Sequence, residues 1–190
     1  MSELWLIRHG ETEWSASGAH TGRTDIPLTD AGRRQAEAIG RWLAGRKFSL
    51  VLESPLERAR ETCFLAGYAA AAQIDANLRE WDYGDYEGRT TAEIQREVPG
   101  WSLWDAGPRN GETMAQVGAR ADAVIARAAT AQGDVALFAH GHLLRVLAAR
   151  WLGLEPSAGR LFALSTATFS TLGHEHENRV IVRWNLSPPA

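Results

Sequence analysis

Three short apolar stretches constrain this chain more than any other feature. Leu4 to Ile7, Phe48 to Leu52 and Asp134 to Ala139 lack a helical period, and each stops abruptly on polar groups. Stretches this short, without the period of an amphipathic helix, read as buried strands. Helix starts follow them. Ser54-Pro55-Leu56-Glu57 reads as a capping box with proline at the first helical position. After His140-Gly141-His142 comes a helical face of Leu144, Leu147, Ala148, Trp151 and Leu152, closed by Gly153. Thr29-Asp30 starts a helix with Ala31, Ala38, Ile39, Trp42 and Leu43 on one face. Thr90 to Glu93 and Thr113 to Gln116 are further capping boxes, the second opening a face of Met114, Val117, Ala121, Val124, Ile125 and Ala128. Ile74 fits a short further strand, and Thr166 to Leu186 reads as a hairpin around Glu177-Asn178. Strands alternating with helices specify an α/β sheet covered on both faces. Glu11 to Pro27, Arg79 to Gly88 and Trp101 to Asn110 read as loops.

Composition narrows the class. A chain of 190 residues, 45% hydrophobic and 23% charged, fits a single globular domain over residues 1–190. A net charge of -3 gives no support for nucleic-acid binding, so an anionic ligand would need locally grouped arginines. One cysteine, Cys63, excludes an intrachain disulfide, and its place in a helical pattern makes it a small core residue. No charged segment leads into an apolar one at the start, and no apolar run reaches about 18 residues. The expectation is a cytoplasmic protein with no membrane partner. The oligomeric state stays open, a homo-oligomer included. P-loop, GxGxxG and GxSxG patterns are absent.

If the strands run parallel, their carboxyl ends bring Arg8-His9-Gly10, Ser54 with Arg58, and His140-Gly141-His142 to one edge of the sheet. The acidic, glycine-broken loop after Arg79 can cover that edge. Arginine forks donate paired hydrogen bonds to phosphate oxygens and stay charged at any working pH. An imidazole can attack phosphorus, and a carboxyl group can protonate the leaving alkoxide and then activate water. The set therefore suits phosphoryl transfer. On the residues alone, Glu80, Asp82, Asp85 and Glu87 are equally available as the acid. His9, His140, His142 and Asp82 could instead hold a metal, although two guanidinium groups beside a divalent cation repel it. No metal and no cofactor are expected. His174 and His176 alternate with acids at the hairpin tip and read as a solvated turn.

Leu6-Ile7-Arg8-His9-Gly10-Glu11-Thr12, Ser54-Pro55-Leu56-Glu57-Arg58-Ala59 and Ala139-His140-Gly141 resemble the histidine phosphatase superfamily, in its phosphoglycerate mutase-like branch. The resemblance implies a three-layer α/β sandwich around a mostly parallel six-stranded sheet and metal-independent catalysis. It implies His9 as the nucleophile, Arg8, Arg58 and His140 as a clamp on the phosphoryl group, and Glu80 as acid then base. Glu13-Trp14-Ser15, His20-Thr21-Gly22, Glu80 to Gly88, and His140-Gly141-His142 with Arg145 look narrower still, like the sedoheptulose-1,7-bisphosphatase-like group, and similar strings occur in broad-specificity acid phosphatases. By that likeness Ser15, His20, Thr21, Gly22, Ser54, Tyr83, Gly141 and Arg145 would line the substrate pocket, with Arg145 on a second phosphate. The expected partner is a small phosphorylated molecule, a sugar bisphosphate in the narrower likeness. Two readings compete: a mutase that returns the phosphoryl group, and a phosphate-dependent binding protein without turnover. Gly88 to Gly111 is short and lacks the paired arginines of the mutases, and Ser15 stands where they commonly have asparagine.

Overall fold

The computed structural model describes residues 2–188. Strands β1 (Leu4–Arg8), β2 (Leu50–Glu53), β3 (Ala72–Ile74), β4 (Val135–Ala139), β5 (Phe169–Glu175) and β6 (Asn178–Leu186) form one sheet in the order β3-β2-β4-β1-β5-β6. The first four run parallel, and β5 and β6 add an antiparallel hairpin at one side. The apolar stretches are continuous because both faces of the sheet are covered. Successive side chains point to opposite faces. Leu4, Leu6, Leu137 and Ala139 enter one core, while Trp5, Ile7, Ala136 and Phe138 enter the other.

The helices that cover these faces are α2 (Asp30–Leu43) and α3 (Glu57–Leu65) on the Trp5 side, and α6 (Met114–Ala128) and α7 (Gly141–Trp151) on the Leu6 side. Thr113 caps α6 with a full capping box, and Val117, Ala121, Val124, Ile125 and Ala128 are buried as their spacing predicts. On α2 the buried set is Gly32, Ala36, Ile39 and Leu43, so Ala36 takes the place expected of Ala38. The rotation has a cause. A Cβ on Gly32 would stand 2.1 Å from the Glu11 carbonyl oxygen, and one on Gly10 would stand 2.4 Å from that of Gly32. Only two glycines let α2 lie against the loop leaving β1.

Three expectations need correction. Ser54 does not cap α3. That helix begins at Glu57 after Leu56, with no side-chain cap, because the Ser54 hydroxyl accepts from His140 and from the Leu56 N–H instead. The loop after β1 contains a short helix, α1 (Glu13–Ser17), capped reciprocally by Thr12 and Ser15 and closed by Gly18 at φ 77. The stretch after Pro99-Gly100 contains another, α5 (Leu103–Ala106), capped by Ser102. The Thr90 capping box opens α4 (Thr91–Glu97) as expected. No helix among the described residues is long and apolar enough to cross a membrane.

Candidate active site

Register brings the reactive groups together. Arg8 of β1 stands opposite Ala139 of β4, and Glu53 of β2 opposite Phe138. The next residues of the three strands, His9, His140 and Ser54, therefore leave one edge side by side. The His9 and Ser54 N–H groups donate to the Ala139 and Phe138 carbonyls, each at 3.0 Å. The His9 and His140 ring centroids are 5.2 Å apart.

Two guanidinium groups surround this pair. Arg58 is fully buried, and four of its five N–H groups are taken: Nε by His140 Nδ1 at 3.2 Å, Nη1 by the Thr24 carbonyl, and Nη2 by the Thr21 and Gly22 carbonyls. Arg8 donates from Nη1 to the Leu164 carbonyl, and its Nε has no partner among the described residues. A Cβ on Gly141 would lie 3.1 Å from the Arg8 guanidinium carbon, so a larger residue there would press on that guanidinium. Neither arginine has a carboxylate at ion-pair distance among the described residues. Cations taken from water without a counter-ion are costly, and an anion in the space between them removes that cost.

The imidazoles are held neutral with defined tautomers. His9 Nδ1 lies 2.7 Å from the Gly10 carbonyl, which can only accept. Nδ1 therefore carries the proton and Nε2 keeps its lone pair. Burial, then the charges of Arg58 and Arg8, push the His9 pKa well below 6.5. His140 accepts from Arg58 at Nδ1 and so donates from Nε2 to Ser54 Oγ at 2.7 Å. Burial, with Arg58 next, lowers its pKa too. Burial keeps the Tyr83 phenol protonated, and its hydroxyl lies 2.7 Å from His142 Nδ1, within hydrogen-bond distance. His142 is depressed by burial and then by Arg145. His20 is pushed down to about 4 by burial.

Glu80 is buried and accepts three backbone N–H groups: Trp81 and Leu143 at 2.9 Å and His142 at 3.0 Å. Two of these come from the first turn of α7. The loop carrying Glu80 is tied down by Arg120, which donates to the Asn77, Arg79 and Glu80 carbonyls and pairs with Glu112 at 2.7 Å. Sequence spacing gave no sign of that clamp.

These groups enclose a hollow of about 260 Å³. Of the residues expected from sequence, Arg8, His9, Ser15, His20, Thr21, Glu80 and Tyr83 line it. Arg58, His140, Ser54, Gly22 and Gly141 stand behind this wall, holding it in place. Arg145 is not brought to the wall. Its Nε and Nη2 donate to the Gly159 and Arg160 carbonyls, and its guanidinium lies 4.6 Å from the Trp104 ring centre. Four lining residues were not singled out as pocket residues from sequence: His142, Thr91, Gly18 and Ala19. The first was legible beside His140. Thr91 reaches the wall because its neighbour Thr90 bridges to Ala19 across the chain. No group of three or more His, Cys, Asp or Glu among the described residues is arranged to hold a metal ion. Asp82 pairs with Arg23 at 2.9 Å instead.

The buried imidazoles make acid destabilising. A depressed folded-state pKa means that the unfolded chain binds protons the folded chain refuses. Stability is then complete above about pH 6.5 and is lost as pH falls toward the folded value. For His20 alone the loss reaches about 3 kcal/mol by pH 4. Urea unfolding at pH 7 and pH 4, on the protein and on His20→Phe, is expected to show a clearly smaller acid loss in the variant. Equal losses would mean that the His20 ring is solvated.

Residues 4–187 match the sequence profile of the histidine phosphatase superfamily (branch 1). The chain is 42% identical over 177 residues to an acid phosphatase of Mycobacterium tuberculosis, covering 91% of this chain and 87% of that protein. It is 38% identical over 182 residues to the sedoheptulose 1,7-bisphosphatase of Saccharomyces cerevisiae, covering 78% and 67%. A solved structure of an open reading frame product from Mycobacterium tuberculosis superposes with a TM-score of 0.94 at 40% identity, covering 99% of both chains. A mycobacterial glucosyl-3-phosphoglycerate phosphatase superposes with a TM-score of 0.89 at 29% identity, over 98% of this chain and 100% of the other.

Proposed function

Because the chain belongs to the histidine phosphatase superfamily (branch 1) and is one of its phosphatases, we propose that it hydrolyses phosphomonoesters of sugar-sized alcohols through a phosphohistidine formed on His9. The observation that carries this reading is the pair of buried guanidinium groups without counter-ions beside a neutral imidazole whose Nε2 lone pair is unclaimed. A phosphoryl group entering the hollow meets Arg8 on the wall and the remaining N–H of Arg58 behind it. Nε2 of His9 attacks phosphorus as the ester P–O bond breaks, and Nδ1–H to the Gly10 carbonyl steadies the imidazolium that forms. Glu80 gives its proton to the departing oxygen, then takes one from water as that water attacks phosphorus and the P–N bond breaks. His140 acts through others, fixing Arg58 on one side and Ser54 on the other.

The sugar bisphosphates of the narrower likeness depend on a second cation for their second phosphate. Arg145 was to supply it, and its engagement with Trp104 and two carbonyls leaves that phosphate without a partner on the wall. The broader acid-phosphatase-like reading therefore has the better support. A phosphate-release screen over sugar monophosphates, bisphosphates and 3-phosphoglycerate tests it. One inorganic phosphate per alcohol is expected. Isomerised phosphoglycerate without free phosphate would establish the mutase reading.

A further inference from the structure

We propose that this hollow has one phosphate station, at Arg8 and His9, and that its opposite wall selects an uncharged, hydroxyl-rich leaving group, so that a second anionic group on the alcohol is a handicap. The inference rests on the phosphatase reading of the same site and adds the class of alcohol.

A census of the wall supports it. Among the described residues Arg8 is its only cation and Glu80 its only acid. The other cations nearby are occupied elsewhere. Arg58 is buried under the loop carbonyls, Arg145 lies over Trp104, and Arg23 pairs with Asp82. The rest of the wall carries no charged side chain; its polar groups are Ser15, Thr21, Thr91, His20 and the Tyr83–His142 pair. Thr91 Oγ1 lies 3.4 Å from His20 Nε2, and the His20 and Tyr83 rings are 4.8 Å apart. His142 Nδ1 shares a 2.7 Å hydrogen bond with the Tyr83 hydroxyl, and its neutral ring offers a donor or an acceptor in either tautomer. These groups offer neutral donors and acceptors and apolar ring faces, which suit the hydroxyls and C–H faces of a polyol. A carboxylate or a second phosphate placed there would be desolvated with no cation to meet it and with Glu80 nearby, which is selection by penalty.

Glycerol 3-phosphate and 3-phosphoglycerate make a clean pair, because they differ only in a terminal CH₂OH or carboxylate. Their kcat/KM ratio, read by phosphate release, is expected to favour the neutral alcohol by about tenfold or more. Thr91 is exposed at the first position of α4, after the Thr90 cap, so Thr91→Arg keeps the helix start and adds a cation to the wall. That variant is expected to shrink the ratio about fivefold or more, chiefly by improving the charged ester. Equal or better use of 3-phosphoglycerate by the unaltered protein overturns the inference and leaves the phosphatase reading standing. A ratio unmoved in the variant overturns the assignment of the wall. Failure to release phosphate from either ester overturns both readings.

Discussion

Replacement of His9 by alanine is expected to lower kcat by about 10⁴-fold or more while leaving the protein folded. The His9 imidazole lines the hollow beside Arg8, neutral at neutral pH and with the Nε2 lone pair unclaimed. His140 cannot stand in for it. Its Nδ1 accepts from Arg58 and its Nε2 donates to Ser54, so neither nitrogen is available. The strand around His9 survives, since its backbone N–H and carbonyl bond to Ala139 and Ala167 whatever the side chain. Steady-state kinetics on a rapidly hydrolysed ester, with circular dichroism as the control for folding, measures both halves. A folded variant that retains a tenth of the activity would remove His9 from the mechanism.

The second large effect is expected from Glu80→Gln, with a loss of about 10² to 10⁴-fold in turnover of alkyl phosphates. The substituted amide keeps one acceptor oxygen for two of the three backbone N–H groups that hold Glu80, but turns a donor toward the third. Two of the three backbone contacts persist, while the proton that the leaving alkoxide needs is gone. An aryl ester such as p-nitrophenyl phosphate has a leaving group that departs without a proton. Its first step should survive, and the loss should move to the second step, in which Glu80 activates water. Stopped-flow traces of the variant are expected to show a burst of p-nitrophenolate followed by slow turnover. An equal loss on alkyl and aryl esters, with no burst, would assign Glu80 a purely structural part.

Much of this was legible in the sequence because the sheet is parallel and buried on both sides. Its strands stand out as apolar stretches without a helical period, and the residue after each stretch is carried to the same edge. His9, Ser54 and His140 could be placed together on that ground, and the motifs around them carried the family resemblance. The failures have a common physical origin in long-range contacts. Ser54 looked like a helix cap, but its hydroxyl was claimed by a histidine 86 residues away. Arg145 lies on the His142 face of α7 by spacing, yet the 3₁₀ segment Pro156–Leu161 offers its guanidinium two carbonyls. Thr91 looked only like the start of α4, and it enters the hollow because that helix is pinned to the loop after β1. Arg58, expected on the phosphate, also serves as the post that ties residues 21–24 to the site.

The central claim is that phosphorus passes through a nitrogen of His9. Rapid quench of a single turnover into alkali, where an N–P bond survives, followed by digestion and mass spectrometry, reads this directly. The account predicts a transient phosphoryl group on the peptide containing His9, formed and lost at rates that match turnover. A turnover that proceeds with no phosphorylated intermediate, or with the phosphoryl group on another residue, would contradict it.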